Sequence, residues 1–90
     1  MMEASFKTDS PRVIPGTQAV QRVLSILRAF SDENPKLSLT EISAAAGLNK
    51  ATAHRMLSVL EQQNFVYRSP ETGEFQLGSE IIVLGAKALK

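Results

Sequence analysis

Apolar residues recur at helical spacing along most of the chain, and the first such stretch covers residues 17–30. Its stripe consists of Val20, Val23, Leu24, Leu27 and Phe30. This spacing predicts a first helix, with Thr17 as the N-cap residue whose side chain accepts a hydrogen bond from the first turn. Ala19 and Ile26 widen the stripe on one flank. So wide an apolar arc indicates more than one packing partner.

Two further helices are predicted between residues 40 and 62, with a glycine between them. Residues 37–39 alternate as a very short strand does, and Thr40 is then expected to cap the second helix, with Glu41 at the positive end of its dipole. Gly47 provides the left-handed residue that ends this helix. Asn49 is expected to cap the third helix, which extends to about Gln62. Its buried stripe is predicted to be Ala53, Met56, Leu57 and Leu60.

A hairpin and a fourth helix follow. Residues 65–68 and 74–77 favour β-structure, and the segment Ser69-Pro70-Glu71-Thr72-Gly73 between them is typical of a turn. Ser79 is expected to cap a last helix with few polar positions, namely Glu80, Lys87 and Lys90. We therefore predict a mainly α fold with a small β-hairpin. This is a winged helix-turn-helix with a three-helix core, a wing and a linker helix.

The same pattern predicts how the chain is divided. Residues 1–16 are expected to be a flexible lead-in, 17–78 the winged domain, and 79–90 the start of a linker helix. The chain ends inside that helix, so we expect it to be a fragment of a longer protein. A domain of this size covers only one side of so apolar a helix. The rest of the helix predicts a second subunit or a further domain, because exposed apolar patches usually mark an interaction site.

Composition narrows the possible functions. The 90 residues suffice for one small domain, and the formal net charge is only +1. The charges are nevertheless uneven, since residues 31–47 carry a balance of −2 and residues 48–68 a balance of +2. The basic excess falls on the third helix, where contacts with nucleic-acid phosphates would need it.

Several kinds of site are not expected. The chain contains no cysteine, which excludes disulfides and thiolate metal sites and favours a cytoplasmic setting. His54 is the one histidine, and no carboxylate lies at the helical spacing that a metal site there would need. We predict no cofactor and no metal. Residues 1–16 lack the apolar run of a signal peptide, and no segment is long enough to span a membrane.

The order of these motifs resembles a known family. The segment Gly47-Leu48-Asn49-Lys50-Ala51-Thr52-Ala53-His54-Arg55-Met56-Leu57, followed by Leu60-Glu61, Phe65-Val66, Arg68, Pro70-Glu71-Thr72-Gly73 and Leu77-Gly78, is similar to the amino-terminal DNA-binding domain of IclR-type bacterial transcription regulators. The similarity extends over residues 17–89. The family usually has proline, serine and valine where this chain has Asn49, Ala51 and Ala53. Ala51 therefore has only a methyl group with which to contact DNA.

The resemblance implies a homodimer that binds double-stranded operator DNA with pseudo-palindromic symmetry. It also implies a carboxy-terminal domain, absent from this chain, through which a small-molecule effector acts. On this basis the third helix is expected to enter the major groove, with the wing beside the DNA backbone. The predicted DNA-binding residues are Thr40, Lys50, Ala51, Thr52, His54, Arg55, Ser58, Arg68, Thr72 and Gly73.

The expected roles differ among these residues. Arg55 lies at the centre of the outward face and suits a bidentate contact with guanine. Lys50 and Thr52 lie in the first turn of the third helix, where side chains and free amides meet phosphate. Arg68 is the strongest candidate of the wing for a phosphate or minor-groove contact.

Simpler interpretations stay open. Arg55 can be a solvated side chain or can pair with Glu61, and Gly73 is explained by the needs of a tight turn. A second hypothesis for the whole chain is a winged-helix module that binds protein and no DNA, favoured by the near-neutral charge and the broad apolar faces. An enzyme is a distant third hypothesis, because no nucleophile with a base and no paired carboxylates are apparent.

Overall fold

The computed structural model describes residues 14–90, which form four helices and one two-stranded antiparallel sheet. The elements are α1 (Gln18–Arg28), α2 (Leu39–Ala46), α3 (Lys50–Gln62), β1 (Val66–Arg68), β2 (Phe75–Leu77) and α4 (Ser79–Ala88). The predicted fold class is confirmed, with a three-helix core, a wing and a following helix. Of the predicted lead-in, residues 1–13 lie outside the described part of the chain.

Every element before α4 contributes a side chain to one hydrophobic core. The core consists of Ile26, Phe30, Leu37, Ile42, Leu57, Leu60, Val66 and Phe75. Ile26, Ile42 and Leu57 are completely buried and come from the three successive helices. Burial of an aliphatic side chain of this size contributes about 1.5–3 kcal/mol. The three helices and the wing therefore depend on the same small set of contacts.

The predicted face of α1 is wrong in part. Val20 was placed in the stripe but is 60% exposed, and Leu24 is also exposed. Ile26, predicted on the flank, is the α1 residue at the centre of the core. The apolar arc of α1 is wider than the surface that α2 and α3 cover. Periodicity alone therefore could not show which side of this arc is buried.

The predicted caps of α1 and α2 differ from the structure. Thr17 occupies the N-cap position of α1, but its hydroxyl donates to the carbonyl of Ile14 (2.6 Å) and accepts from the side-chain amide of Gln21 (3.3 Å), and it accepts no backbone amide of the first turn. Ser38, and not Thr40, caps α2. The Ser38 hydroxyl accepts from the amide of Glu41 (3.1 Å), and the Glu41 carboxylate accepts from the amide of Ser38 (2.8 Å), which is a capping box. The predicted strand at 37–39 is limited to Leu37, since Leu39 is helical.

The turn between α2 and α3 agrees with prediction. Gly47 has a φ of +70°, and the amide of Leu48 donates to the carbonyl of Ser43 (2.9 Å), which closes α2. Asn49 caps α3 by accepting from the amide of Thr52 (2.8 Å). Of the predicted α3 stripe, Met56 is only half-buried, whereas Ala53, Leu57 and Leu60 are buried.

The wing is held to the core through Phe75. The strands pair Val66 with Leu77 and Arg68 with Phe75. On its other side Phe75 exchanges two backbone hydrogen bonds with Leu37, of 2.9 and 2.8 Å. The segment before α2 is thereby tied to the wing, and the buried Phe75 ring anchors both.

Helix α4 extends the chain past the wing. Gly78 occupies its N-cap position, so the prediction of Ser79 as the cap is wrong. No residue of α4 is buried, and Ile82 is 73% exposed. The apolar character that predicted a partner for this helix is therefore left uncovered by the described residues. None of the helices between residues 14 and 90 is long and apolar enough to cross a membrane.

The capping box generates a test of the α2 boundary. We expect Ser38→Ala to lower the free energy of unfolding by about 1 kcal/mol, because an amide of the first turn loses its acceptor. Thr40→Ala is the matched control, since Thr40 is exposed inside the first turn, where alanine is a better helix former. Chemical denaturation of both variants measures the difference, and an equal loss in the two would contradict this cap.

Candidate nucleic-acid interface

The outward face of α3 is set by its buried stripe. Burial of Ala53, Leu57 and Leu60 turns one side of the helix into the core. Since successive residues advance by about 100°, Arg55 lies on the opposite side. Arg55 is exposed, as predicted. Five of the six predicted α3 contacts lie outside that stripe, and they are Ala51, Thr52, His54, Arg55 and Ser58. Lys50 lies in line with the stripe but is exposed, because it is the first residue of the helix.

The first turn of α3 is partly used by its own cap. Asn49 takes the amide of Thr52, and the amide of Ala53 donates to the carbonyl of Asn49 (3.0 Å). The Lys50 and Ala51 side chains are exposed, whereas Thr52 is half-buried. The first turn therefore offers a cation, a methyl group and a hydroxyl at the positive end of the helix dipole.

Further along α3 the polar side chains differ in how available they are to another molecule. His54 is exposed, whereas Ser58 is half-buried and its hydroxyl donates to the carbonyl of His54 (2.9 Å). The Ser58 oxygen can still accept a hydrogen bond from another molecule, but its proton is already engaged. In the described part of the chain no three His, Cys, Asp or Glu side chains are grouped to hold a metal ion.

Arg55 borders an apolar groove between α1 and α3. The groove has a volume of about 370 Å³, and its lining is Ala19, Val23, Arg55, Met56, Val59 and Leu60. Glu61, the carboxylate suggested as a partner of Arg55, lines a different recess together with the turn residues Ser69, Pro70 and Gly73 of the wing. Val59, which is 57% exposed on α3, was not among the predicted functional residues. Its position outside the predicted buried stripe is the feature of the sequence that could have indicated an exposed apolar surface on this helix.

Thr40 lies apart from these residues in the first turn of α2, and it is exposed. The neighbouring Glu41 carboxylate is bonded to the Ser38 amide. A negative charge is thus fixed beside the first amides of α2. This arrangement weakens the anion-binding capacity that a helix N-terminus otherwise has.

Arg68 is held against the wing by two contacts. Its guanidinium carbon lies 5.1 Å from the centre of the Phe75 ring, within the range of a cation–π interaction. Its Nε donates to the carbonyl of Gly73 (3.3 Å), across the turn. The outer nitrogens of the exposed guanidinium stay available to a phosphate. Arg68 therefore stabilises the turn of the wing and is also the cation that the sequence predicts to contact DNA.

Thr72 and Gly73 form the tip of the wing. The Thr72 hydroxyl accepts from the amide of Glu74 (3.1 Å), and the Thr72 amide donates to the Ser69 hydroxyl (3.3 Å). Gly73 has a φ of +76°, which non-glycine residues rarely adopt, so the turn itself requires it. The Thr72 hydroxyl proton is the group at this tip that suits an acceptor on DNA.

Comparison with known proteins connects this geometry to a family. Residues 19–70 match the model of the IclR helix-turn-helix domain. The relatives include the HTH-type transcriptional regulator XynR of Escherichia coli K12, which is 35% identical over 72 residues, or 80% of this chain and 29% of that protein. The glycerol operon regulatory protein of Streptomyces griseus is 37% identical over 68 residues, which are 76% of this chain and 27% of that protein.

Solved structures agree with the sequence relatives. An IclR family transcriptional regulator from Brucella abortus superposes with a TM-score of 0.75 at 28% identity, covering 97% of this chain and 32% of that one. An IclR-type regulator from Alicyclobacillus acidocaldarius gives 0.67 at 35% identity, covering 86% and 30%. The chain spans less than a third of the length of these four relatives. Together with the match over residues 19–70, these similarities show that the chain belongs to the IclR helix-turn-helix family of DNA-binding transcription regulators.

Proposed function

We propose that the chain recognises a specific operator sequence, with α3 in the major groove and the wing beside the DNA backbone. The observation that carries this proposal is the exposed surface of α3, which presents Arg55 opposite its buried stripe and Lys50 exposed at its first residue. A helix of this kind fits the major groove and contacts bases with its first turns. The relatives are named as regulators of transcription, which supports the same role.

The proposed contacts divide into two kinds. Arg55 contacts a base, because it lies at the centre of the exposed face and suits the two acceptors of guanine. Lys50, Thr52 and the wing residue Arg68 contact phosphates and set the position of the helix. Ala51 contributes a methyl contact. His54, Ser58, Thr72 and Gly73 border these groups as secondary contacts.

Thr40 is the weakest of the proposed contacts. Its hydroxyl is exposed, but the neighbouring carboxylate of Glu41 repels a phosphate at the same helix end. A contact there requires the phosphate to approach the hydroxyl from the side away from Glu41. We therefore expect Thr40 to contribute less to affinity than Lys50 does.

We further propose that two copies of the protein bind a pseudo-palindromic site. Support comes from apolar side chains that the single chain leaves uncovered, with Val20 on α1 and Ile82 on α4 both more than half exposed. Burial of such surfaces in a dimer is favourable at roughly 25 cal/mol per Å² of apolar area. Two-fold symmetry would then set the spacing of the two half-sites. A small-molecule effector would act through a carboxy-terminal domain outside this chain.

The same exposed apolar faces are the observation that favours the second hypothesis, a winged-helix module that binds protein and not DNA. The two hypotheses differ in what they require of α3. A protein-binding module has no need for exposed Lys50 and Arg55 on that helix, whereas DNA binding depends on them.

Salt dependence of DNA binding tests the proposed function. Binding to mixed-sequence duplex should weaken steeply as salt rises, because each phosphate contact releases counterions and contributes about 0.9 to the slope of log K against log salt. Fluorescence anisotropy over a series of salt concentrations measures this slope. Absence of binding at low salt, with a dimer established by light scattering, would favour the protein-binding module.

Arg55 and Lys50 provide a matched pair for specificity. On an operator selected from a random DNA pool, Arg55→Ala should cost about 1–3 kcal/mol and relax preference at one position of the site. Lys50→Ala should weaken operator and mixed DNA alike, because a phosphate contact carries no base information. Repeating the selection with each variant measures the preference. An equal loss of preference in both variants would refute these two roles.

Two substitutions of Arg68 distinguish the effect of its charge from its effect on the geometry of the wing. Arg68→Ala should lower operator affinity by about tenfold, or about 1.4 kcal/mol, because it removes one phosphate contact and frees the turn. Arg68→Lys should restore the salt slope but only part of the affinity, since lysine keeps the charge without the planar group over Phe75 or the Nε donor to Gly73. Complete recovery by lysine would show that the charge alone matters.

A further inference from the structure

Helix α4 is attached to the rest of the domain at its first turn. None of its residues is buried, whereas Gly78, immediately before it, is buried. Glu80 and Ile81 are half-buried, and every residue from Ile82 onward is exposed. The direction in which α4 leaves the domain therefore depends on the contacts of residues 78–81.

Two backbone hydrogen bonds make this attachment. The amide of Gly78 donates to the carbonyl of Phe65 (2.8 Å), and the amide of Glu80 donates to the carbonyl of Asn64 (2.9 Å). No side chain caps α4. Because the first amides of a helix lack intrahelical partners, the carbonyl of Asn64 performs the function that a capping side chain performs elsewhere.

The carbonyls that accept these bonds belong to the motif that ends α3. Asn64 has a φ of +64°, its amide donates to the carbonyl of Glu61 (3.1 Å), and the amide of Phe65 donates to the carbonyl of Leu60 (2.8 Å). This is a Schellman motif with asparagine in the left-handed position. The end of α3 and the start of α4 therefore share the consecutive residues Asn64 and Phe65.

Gly78 is required by the closeness of the two segments. Its φ of −98° is accessible to any residue, so backbone conformation does not explain the glycine. A Cβ at this position would lie 2.5 Å from the carbonyl oxygen of Asn64 and 3.0 Å from its carbonyl carbon. Both are backbone atoms of the residue that occupies the left-handed position of the Schellman motif, and the oxygen also accepts from the amide of Glu80. A side chain at position 78 would therefore force the two segments apart.

We propose that Asn64, Phe65, Gly78 and Glu80 form a joint that fixes the direction of α4 relative to α3, and thereby sets the separation of the two recognition helices in a dimer. The inference rests on the proposed dimeric DNA binding. Gly78 and Asn64 are positioning residues in it, since neither lies on the exposed face of α3. A change in the joint alters how two half-sites are bound together and leaves the contacts within one half-site intact.

The first part of the test measures the joint without DNA. The chain has no cysteine, so spin labels can be attached at Gln62→Cys and Lys87→Cys, both exposed positions on α3 and α4. Labelled chain diluted with unlabelled chain should give one narrow distance distribution by pulsed electron resonance. Gly78→Ala should shift or broaden it. Gly85→Ala is the matched control, because a Cβ at Gly85 meets no atom within 4 Å, and it should leave the distance unchanged.

The second part measures DNA binding on selected half-sites, presented singly or in pairs with a series of spacer lengths. Gly78→Ala should keep single half-site affinity within about twofold, but lose about tenfold or more on the paired site of preferred spacing, because the two binding events are no longer geometrically matched. Gly85 shares a face of α4 with Ile82, so the control for this part is Lys87→Ala, an exposed position on another side of α4, which should retain the spacing preference.

Asn64 provides an independent variant if Gly78→Ala does not fold. Asn64→Gly keeps the left-handed backbone without strain, whereas Asn64→Ala puts a Cβ into that conformation. We expect the alanine variant to show the altered distance and spacing preference, and the glycine variant to behave as the parent chain does.

Failure of the joint and failure of the proposed DNA binding give different results in these experiments. Failure of the parent chain to bind any half-site would refute the proposed DNA binding. Half-site binding combined with an unchanged distance and spacing preference in folded Gly78→Ala, or in Asn64→Ala, would overturn the joint while leaving DNA recognition standing. A broad distance distribution in the parent chain would overturn the joint as well.

Discussion

The buried stripe of α3 is the constraint on which the rest of the interface depends. Ala53, Leu57 and Leu60 enter a core that also receives Ile26 and Ile42 from the preceding helices. Because a helix is stiff and advances by a constant angle per residue, burial of one side determines the orientation of the other. The exposure of Arg55 is therefore a consequence of core packing, and the chemistry of the interface follows from hydrophobic residues that never meet DNA.

The wing depends on the same core through Phe75. Its buried ring lies under the guanidinium group of Arg68, and its backbone pairs with Leu37 as well as with Arg68. One residue thus connects the segment before α2, the sheet and the cation of the wing. This arrangement explains how three-residue strands hold a defined position, since strands so short are marginal without packing against a helical core.

Helix ends were the least predictable feature. Thr17, Thr40 and Ser79 were each a chemically suitable cap, yet the cap hydrogen bonds are made by Ser38 and by the carbonyl of Asn64, and Thr17 bonds to Ile14 instead. Ser38 and Thr40 both lie within two positions of the start of α2, and Gly78 and Ser79 are adjacent at the start of α4. The choice among them depends on where the backbone leaves the extended region, which packing determines. Asn49 and Gly47 were predicted correctly because α2 and α3 are separated by so few residues that no alternative cap or stop competes.

The sequence by itself determined the order and type of the elements, the turn at Gly47, the cap at Asn49 and the outward face of α3. Each of these follows from local chemistry or from the period of a single helix. Only the tertiary structure decided that Ile26 is buried and Val20 exposed, that Arg68 lies over Phe75, and that Gly78 must be small. These features depend on which surfaces meet across the chain. The local sequence does not indicate which atoms will pack against a wide apolar arc, an arginine in a strand or a glycine before a helix.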